Sequence, residues 1–357
     1  MNKLWMNNLR EIEPYTPGEQ PKIKNITKLN TNENPYPPSP KVKEALNELD
    51  FDRFRLYPDP NASDLVSVLA DYYKLNNDQV FVGNGSDEVL ALCFLTYFNS
   101  EKEILFPDIT YSFYPVYGNL FKIKYRQVPL NNNLEIIKED YFSPNGGIIF
   151  PNPNAPTGIC VGLDFIEDIL KKNSDSVVII DEAYIDFGGV SAIPLIEKYD
   201  NLVIIQTYSK SRSLAGLRVG VALGSKEAIA ALNAVKNSFN SYPLDYVAQR
   251  LATASIKDEE YFNDTLSKII KTRENTVETL KSLGFIIPES KANFIFATHP
   301  RIKAKDLFEA LKKDGIFVRY FSAPKIDNYL RITIGTDDEM FKLISFIKDN
   351  YPEETLC

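Results

Sequence analysis

Leu202-Val203-Ile204-Ile205-Gln206-Thr207-Tyr208-Ser209-Lys210 carries an apolar run straight into a lysine set among hydroxyls, and Gly216-Leu217-Arg218-Val219-Gly220 follows shortly after. The run Leu202 to Ile205 reads as a buried strand, so Lys210 stands just beyond its carboxyl end. An amine held there beside Thr207, Ser209 and Arg218 suits a cofactor that carries both an aldehyde and a phosphate. Pyridoxal phosphate is that cofactor.

Working outward, Asp181 directly follows Val177-Val178-Ile179-Ile180 and should project from the tip of the neighbouring strand, where open α/β sheets place ligands. A carboxylate there is costly without a partner; opposite a pyridinium nitrogen it would keep the ring protonated and able to accept electrons. A magnesium ligand or a helix cap is the alternative at this point. Tyr184, in Asp181-Glu182-Ala183-Tyr184, adds a phenol that can donate to a ring oxygen. Further upstream, Gly83-Asn84-Gly85-Ser86-Asp87-Glu88 joins a strand to a helix, the arrangement in which free amides receive phosphate. Glu88 occupies the third glycine position of GxGxxG, which argues against a dinucleotide site, and no GxxxxGK[ST] loop occurs. The plainer alternative is a turn with Ser86 as helix cap.

Short apolar runs alternate with helical patterns from about residue 62 to 245, which predicts an α/β layered domain with a largely parallel sheet. The expected strands are 80–82, 103–106, 122–129, 147–150, 177–180, 202–205 and 219–223, seven in one sheet. The expected helices are 63–73, 87–98, 163–171 and 226–236. Past Pro243, one long helical stretch (244–283), a strand at 293–297, a helix at 304–314 and strands near 316–320 and 329–334 make a smaller α+β domain. Residues 1–45 form a proline-rich arm, with 46–245 as the large domain and 246–357 as the small one. Arg319 and Arg331 fall on neighbouring strands of the small domain, and Arg331 interrupts an apolar strand. A guanidinium so placed serves either a buried anion pair or a substrate carboxylate or phosphate.

The bulk properties narrow the class. The 357 residues, 44% of them hydrophobic, can bury a sizeable core, and a formal charge of −8 argues against a nucleic-acid binder. Cys93, Cys160 and Cys357 have neither metal-ligand spacing nor an even count, which fits a reducing cytoplasm. Met1 to Arg10 lacks a leader pattern, and no run of about 18 apolar residues occurs, so neither signal peptide nor membrane span is expected. The single histidine, His299 in Ala297-Thr298-His299-Pro300, rules out most histidine-based triads and metal schemes and reads as a surface turn residue.

These motifs, with Asn32-Glu33-Asn34-Pro35, Arg55-Leu56-Tyr57-Pro58-Asp59-Pro60, Pro153-Asn154-Ala155-Pro156-Thr157-Gly158 and Leu330-Arg331-Ile332-Thr333-Ile334-Gly335, run over essentially the whole chain. The sequence resembles the fold-type I aminotransferases, and among them the histidinol-phosphate aminotransferases of histidine biosynthesis. The resemblance implies pyridoxal 5'-phosphate, with Lys210 as Schiff-base lysine and proton shuttle, Asp181 on the ring nitrogen, Tyr184 on the ring hydroxyl and Tyr111 as the stacking aromatic. It places Ser86, Asp87, Thr207, Ser209 and Arg218 in the phosphate cup and sends Tyr57 into the other subunit of a homodimer. Arg331 and Arg319 hold the substrate anion, with Tyr15 and Asn34 from the arm beside it. The substrates it implies are L-histidinol phosphate and 2-oxoglutarate, giving imidazole-acetol phosphate and glutamate; threonine-phosphate decarboxylation and aromatic amino-acid transamination are the alternatives on the same fold. Two positions depart from the pattern. Ala155 stands where relatives carry the asparagine that bonds the ring hydroxyl, leaving Asn154 to substitute or Tyr184 to act alone. Arg212 replaces a usual aromatic and either alters the ring's rear wall or faces solvent.

Overall fold

The structure is a computed structural model that describes residues 4–22, 25–352 and 356. Cys357 lies outside the described residues; Cys93 and Cys160 are free thiols. The arm contributes β1 (Thr27–Lys28) and α1 (Pro40–Asn47). Then come α2 (Ser63–Tyr73), β2 (Val80–Asn84), α3 (Gly85–Tyr97), β3 (Ile104–Pro107), α4 (Phe113–Phe121), β4 (Tyr125–Val128) and β5 (Ile148–Pro151). The large layer continues with α5 (Leu163–Lys172), β6 (Val178–Asp181), β7 (Leu202–Thr207), β8 (Val219–Gly224), α6 (Lys226–Phe239) and α7 (Tyr246–Ile256). The remainder is α8 (Glu259–Ser282), β9 (Phe294–Ala297), α9 (Ala304–Lys313), β10 (Ile316–Phe317), β11 (Arg319–Tyr320), β12 (Leu330–Thr333) and α10 (Asp337–Asn350).

All seven expected strands join one sheet in the order β2-β8-β7-β6-β5-β3-β4, parallel except for β8, which runs antiparallel to both neighbours. The central strands β5, β6 and β7 are buried along their whole length, as continuous apolar runs must be when helices cover both faces. Helix α5 has the expected stripe, with Ile166, Ile169 and Leu170 buried and Asp164, Lys171 and Lys172 exposed. The order in which strands are added reverses between the parallel neighbours β3 and β5, so a crevice opens beyond their carboxyl ends, and the segments that follow them carry Tyr111 and Ala155.

The expected helix 244–283 is two helices. Asp258 leaves helical geometry at φ −109°, ψ 69°, and its carboxylate takes the hydroxyl of Ser39 in a short hydrogen bond. Helix α7 puts Ala248, Leu251, Ala252 and Ile256 into the core of the large sheet, whereas α8 puts Phe262, Leu266, Ile269 and Leu280 into a second core. The expected strand 316–320 also divides. Ile316 and Phe317 pair parallel with β1 of the arm, while Arg319 and Tyr320 pair antiparallel with β12, which pairs in turn with β9. Leu29 enters the second core as well, so the arm is built into the small layer.

His299 is not on the surface: it is 2% exposed. Its Nδ1 accepts the main-chain amides of Arg301 and Ile302 and its ring meets Phe285 edge-on, so it is a buried, turn-closing residue.

Candidate active site

Beyond the tips of β6 and β7 a cleft is lined by Ser86, Asp87, Tyr111, Ala155, Asp181, Tyr184, Thr207, Ser209, Lys210 and Arg218, together with Pro151 and Ala183. It encloses about 550 Å³ of non-atom space, open solvent included. Asp181 is its floor. The carboxylate is buried and receives only neutral donors, the Tyr114 hydroxyl at 2.9 Å and the Ala183 amide at 3.2 Å. Burial pushes its carboxyl up to about 6 against the pull of those two hydrogen bonds. The Lys210 charge also pulls it down through space, but among the described residues Asp181 forms no ion pair, and a buried acid so placed at a cleft suits a positive partner there. Among the described residues no group of three or more His, Cys, Asp and Glu is placed to hold a metal ion.

The Lys210 amine lies 5.7 Å from the centre of the Tyr184 ring and donates to the Thr31 carbonyl of the arm at 3.3 Å. Tyr184 is 9% exposed, and its ring is fixed edge-on against Phe294. Opposite, the Tyr111 hydroxyl donates to Asp87 Oδ1 at 2.7 Å; burial, then the Asp87 charge, raises the phenol well above its usual range.

The cup at the other end grows from β2, α3, β7 and β8. Helix α3 begins at Gly85 with no side-chain cap from Asn84, so its first amides are free of side-chain partners, and Ser86 is not the cap. Gly85 has φ +80°, and a Cβ there would lie 2.5 Å from Arg218 Nη2; one at Gly220 would lie 2.4 Å from the Gly85 main chain. Glycine at both positions lets the strand end and the guanidinium approach the helix start. Arg218 donates to Asp87 Oδ2 at 3.0 Å and, at 3.4 Å, to the Ser209 hydroxyl, which also accepts from Thr207 at 3.0 Å. Uncapped amides, two hydroxyls and a guanidinium form an anion site. Asp87 belongs to it as the carboxylate that orients Arg218 and Tyr111.

On the small layer, Arg319 sits directly opposite Arg331 across the β11–β12 ladder. Among the described residues neither forms a salt bridge. Arg331 donates to the Asn30 carbonyl at 3.1 Å, packs over Phe294 and Phe321, and keeps a buried Nε without partner. Burial, reinforced by the Arg319 charge, holds its guanidinium below the usual range, although the Tyr184 phenol acts in the opposite sense. Like charges paired across a ladder without a carboxylate call for an external anion. Tyr15 stacks on Phe113 at 4.2 Å between ring centres.

Two expected contacts, those of Asn154 and Asn34, fall elsewhere, while Tyr57, expected at the other subunit's site, lies away from this one. Asn154 is buried away from the cleft: its amide donates to Ile109 O and Thr157 Oγ1 and accepts from Thr110, so the lining position goes to Ala155. Asn34 is engaged by the main chain, donating to the carbonyls of Lys210 and Ser211 at 3.1 Å each, and so clamps the lysine loop to the arm. Tyr57 is 81% exposed and stacks on Tyr242, outside this chain's own cleft. Arg212 neither backs the ring nor faces solvent. It is buried in a cage of Tyr72, Tyr208 and Phe262 and donates to Ser255 O, linking the lysine loop to both cores.

Two residues not expected at the site hold its side chains: Tyr114, which donates to Asp181, and Asn32, whose amide donates to the Tyr184 hydroxyl at 3.0 Å. Tyr114 stands in the first turn of α4, just after Tyr111, whose ring it meets edge-on; only the fold brings Asn32 to Tyr184.

Known proteins are similar to this chain. A histidinol-phosphate aminotransferase of Lactococcus lactis subsp. cremoris is 55% identical over 345 residues, covering 97% of each chain. The histidinol-phosphate aminotransferase structure from Clostridium acetobutylicum superposes with a TM-score of 0.83 at 26% identity over 90% of this chain and 98% of that one. One from Sinorhizobium meliloti, solved in complex with pyridoxal-5'-phosphate, gives 0.80 at 21% identity over 89% of each chain. The family model described as aminotransferase class I and II matches residues 24–347, and with a relative this similar over nearly its full length, the chain belongs to the class I and II aminotransferases.

Proposed function

We propose that this chain transfers the amino group of L-histidinol phosphate to 2-oxoglutarate, giving imidazole-acetol phosphate and L-glutamate, with pyridoxal 5'-phosphate as cofactor. One observation carries the reading. A single cleft gathers a lysine amine, a buried carboxylate in no ion pair, a phenol and an anion cup. That donor set fits a cationic heterocycle bearing an aldehyde, a hydroxyl and a phosphate, and the Sinorhizobium meliloti relative contains that molecule. When bound, the cofactor supplies an aldehyde for the amine and an electron sink.

The residues have separate tasks. Lys210 Nζ holds the cofactor and is the base that takes the proton from the amine-bearing carbon of the substrate. Asp181 compensates the positive ring nitrogen, Tyr184 donates to the ring hydroxyl, and Tyr111 covers a ring face. Ser86, Thr207, Ser209 and Arg218 bind the phosphate, together with the free amides at the start of α3. Arg331 and Arg319 take the substrate anion, Tyr15 closes over it, and the neighbouring aromatic rings exclude water. A phosphate in one substrate and a carboxylate in the other meet the same pair of guanidiniums, so one site serves both half-reactions.

The working unit is a homodimer in the cytoplasm. Phe51, Phe54, Tyr57, Phe239 and Tyr242 lie exposed around one face, more apolar surface than a lone chain benefits from showing. On this reading Tyr57 completes the phosphate cup of the second subunit.

Glutamate-dependent amination of imidazole-acetol phosphate, measured beside phenylpyruvate and with carbon dioxide release monitored, tests the assignment. Preference for the phosphorylated ketone with no carbon dioxide is the expected outcome. Preference for phenylpyruvate, or decarboxylation of threonine phosphate, would replace it.

A further inference from the structure

Asn32 is 1% exposed and holds φ +57°, a backbone conformation that a side-chain-bearing residue adopts at a cost. All its polar groups are engaged. Its main-chain amide donates to Thr333 Oγ1 at 3.0 Å, and its carbonyl accepts from Asn293 Nδ2 at 3.0 Å. Because Thr333 Oγ1 already receives that amide, the hydroxyl proton goes to Asn32 Oδ1, also at 3.0 Å. The carboxamide is thereby turned so that Nδ2, at 3.0 Å, donates to the Tyr184 hydroxyl oxygen.

A phenol oxygen that accepts from an amide keeps its own proton for another acceptor. Among the described residues Tyr184 donates to none, and it lines the cleft. The other side chain that could reach the same ring oxygen is missing, because Ala155 lines the cleft with a methyl group and Asn154 is turned away. We propose that Asn32 is a positioning residue that aims the Tyr184 hydroxyl proton into the cleft, so that the arm supplies the orientation that position 155 does not. This rests on the role given to Tyr184 above. Charged groups facing the phenol are Lys210, 5.7 Å from its ring centre, and Arg331 on β12, so the hydroxyl sits in a cationic setting that its direction must exploit.

The test uses the cofactor-loaded enzyme and its visible absorption band, titrated between pH 5 and 9.5, for the parent, Tyr184→Phe, Asn32→Asp and Asn32→Gly. A proton donated to the ring oxygen stabilises its negative charge and lowers the proton affinity of the nitrogen conjugated with it. Tyr184→Phe should therefore raise the apparent pKa of the band by about one pH unit, the scale of one hydrogen bond to a charged group. Asn32→Asp keeps the shape and the Thr333 bond but offers Tyr184 an acceptor, so it should shift the band in the same direction. Asn32→Gly suits the left-handed backbone and deletes the amide, giving a smaller shift in the same direction and guarding against a misfolded Asp variant. If both Asn32 variants titrate like the parent while Tyr184→Phe shifts, the proposal alone is overturned. If all three titrate like the parent, it falls together with the Tyr184 role beneath it.

Discussion

At the carboxyl edge of the seven-stranded sheet the buried charge is negative: Asp181, held by a tyrosine and an amide, forms no ion pair among the described residues, with Lys210 acting on it only through space. On the three-stranded sheet the half-buried charge is positive, with Arg319 opposite Arg331 and no salt bridge to either among the described residues. Each region is half of an ion pair whose other half comes from outside the chain. The first is fixed to strands buried on both faces, which suits a group that must stay still under a cofactor. The second belongs to a smaller sheet whose neighbouring strand β10 pairs with the arm, which suits substrate selection. On the proposed reading, chemistry and selectivity are thus carried by separate cores.

The sharpest way to break that division is at its boundary. Lys210→Ala should still admit cofactor, because floor and cup are untouched, yet lower turnover by about 10⁴-fold, the upper range for a positioned base. Near-normal turnover would remove the lysine from the chemistry. Arg331→Met probes the other region: kcat/KM for the phosphorylated substrate should fall by about 10²–10³-fold, the effect of leaving a desolvated charge unpaired, with the cofactor spectrum unchanged. A spectrum altered as much as the kinetics would mean the two regions are not separable.

Glu182 tests how dry the strand edge is. It is buried, and its carboxyl is pushed up to about 7 by burial, against donors from Ser191, Ala192 and Gln206. Between the ordinary carboxyl value of 4.5 and about 7 the folded chain retains a proton that the unfolded chain has lost. Stability from this group is therefore present at low pH and lost as pH rises through that window. The parent apoenzyme should lose on the order of 3 kcal/mol more than Glu182→Gln between pH 4.5 and 8 in denaturant melts. Parallel profiles would show that water reaches the edge. The smallest effect belongs to the subunit contact: Tyr57→Phe should weaken cofactor affinity about tenfold, one hydrogen bond to a charged phosphate, in dialysis against the cofactor. An unchanged affinity would take Tyr57 out of the partner's cup.

The large sheet was legible because Ile148 to Phe150, Val178 to Ile180 and Leu202 to Ile205 are unbroken apolar runs, and such runs leave one solution. Asp181 and Lys210 followed from their positions at strand ends. Helix α4 escaped notice because Pro115 and Gly118 interrupt its pattern, yet it carries Tyr114. The break at Asp258 was invisible for a similar reason: the polar stretch stays helical in character, and the partners of the carboxylate, Ser39 and Lys41, lie far away in sequence. Asn154 and Ala155 illustrate the limit at the site itself. Neighbours on an irregular segment point in different directions, and which one faces the cleft depends on where Ile109 and Thr157 accept. His299 looked like a surface turn because Pro300 follows it, but the chain end at Leu356 and Phe285 pack around it.

The central claim is a covalent link at one lysine. Purified protein should be incubated with pyridoxal 5'-phosphate, reduced with borohydride, dialysed and digested for peptide mass analysis. The account predicts a yellow protein whose reduced adduct maps to the peptide carrying Lys210 and is lost in Lys210→Ala. A colourless protein, or an adduct fixed at another lysine, would contradict it.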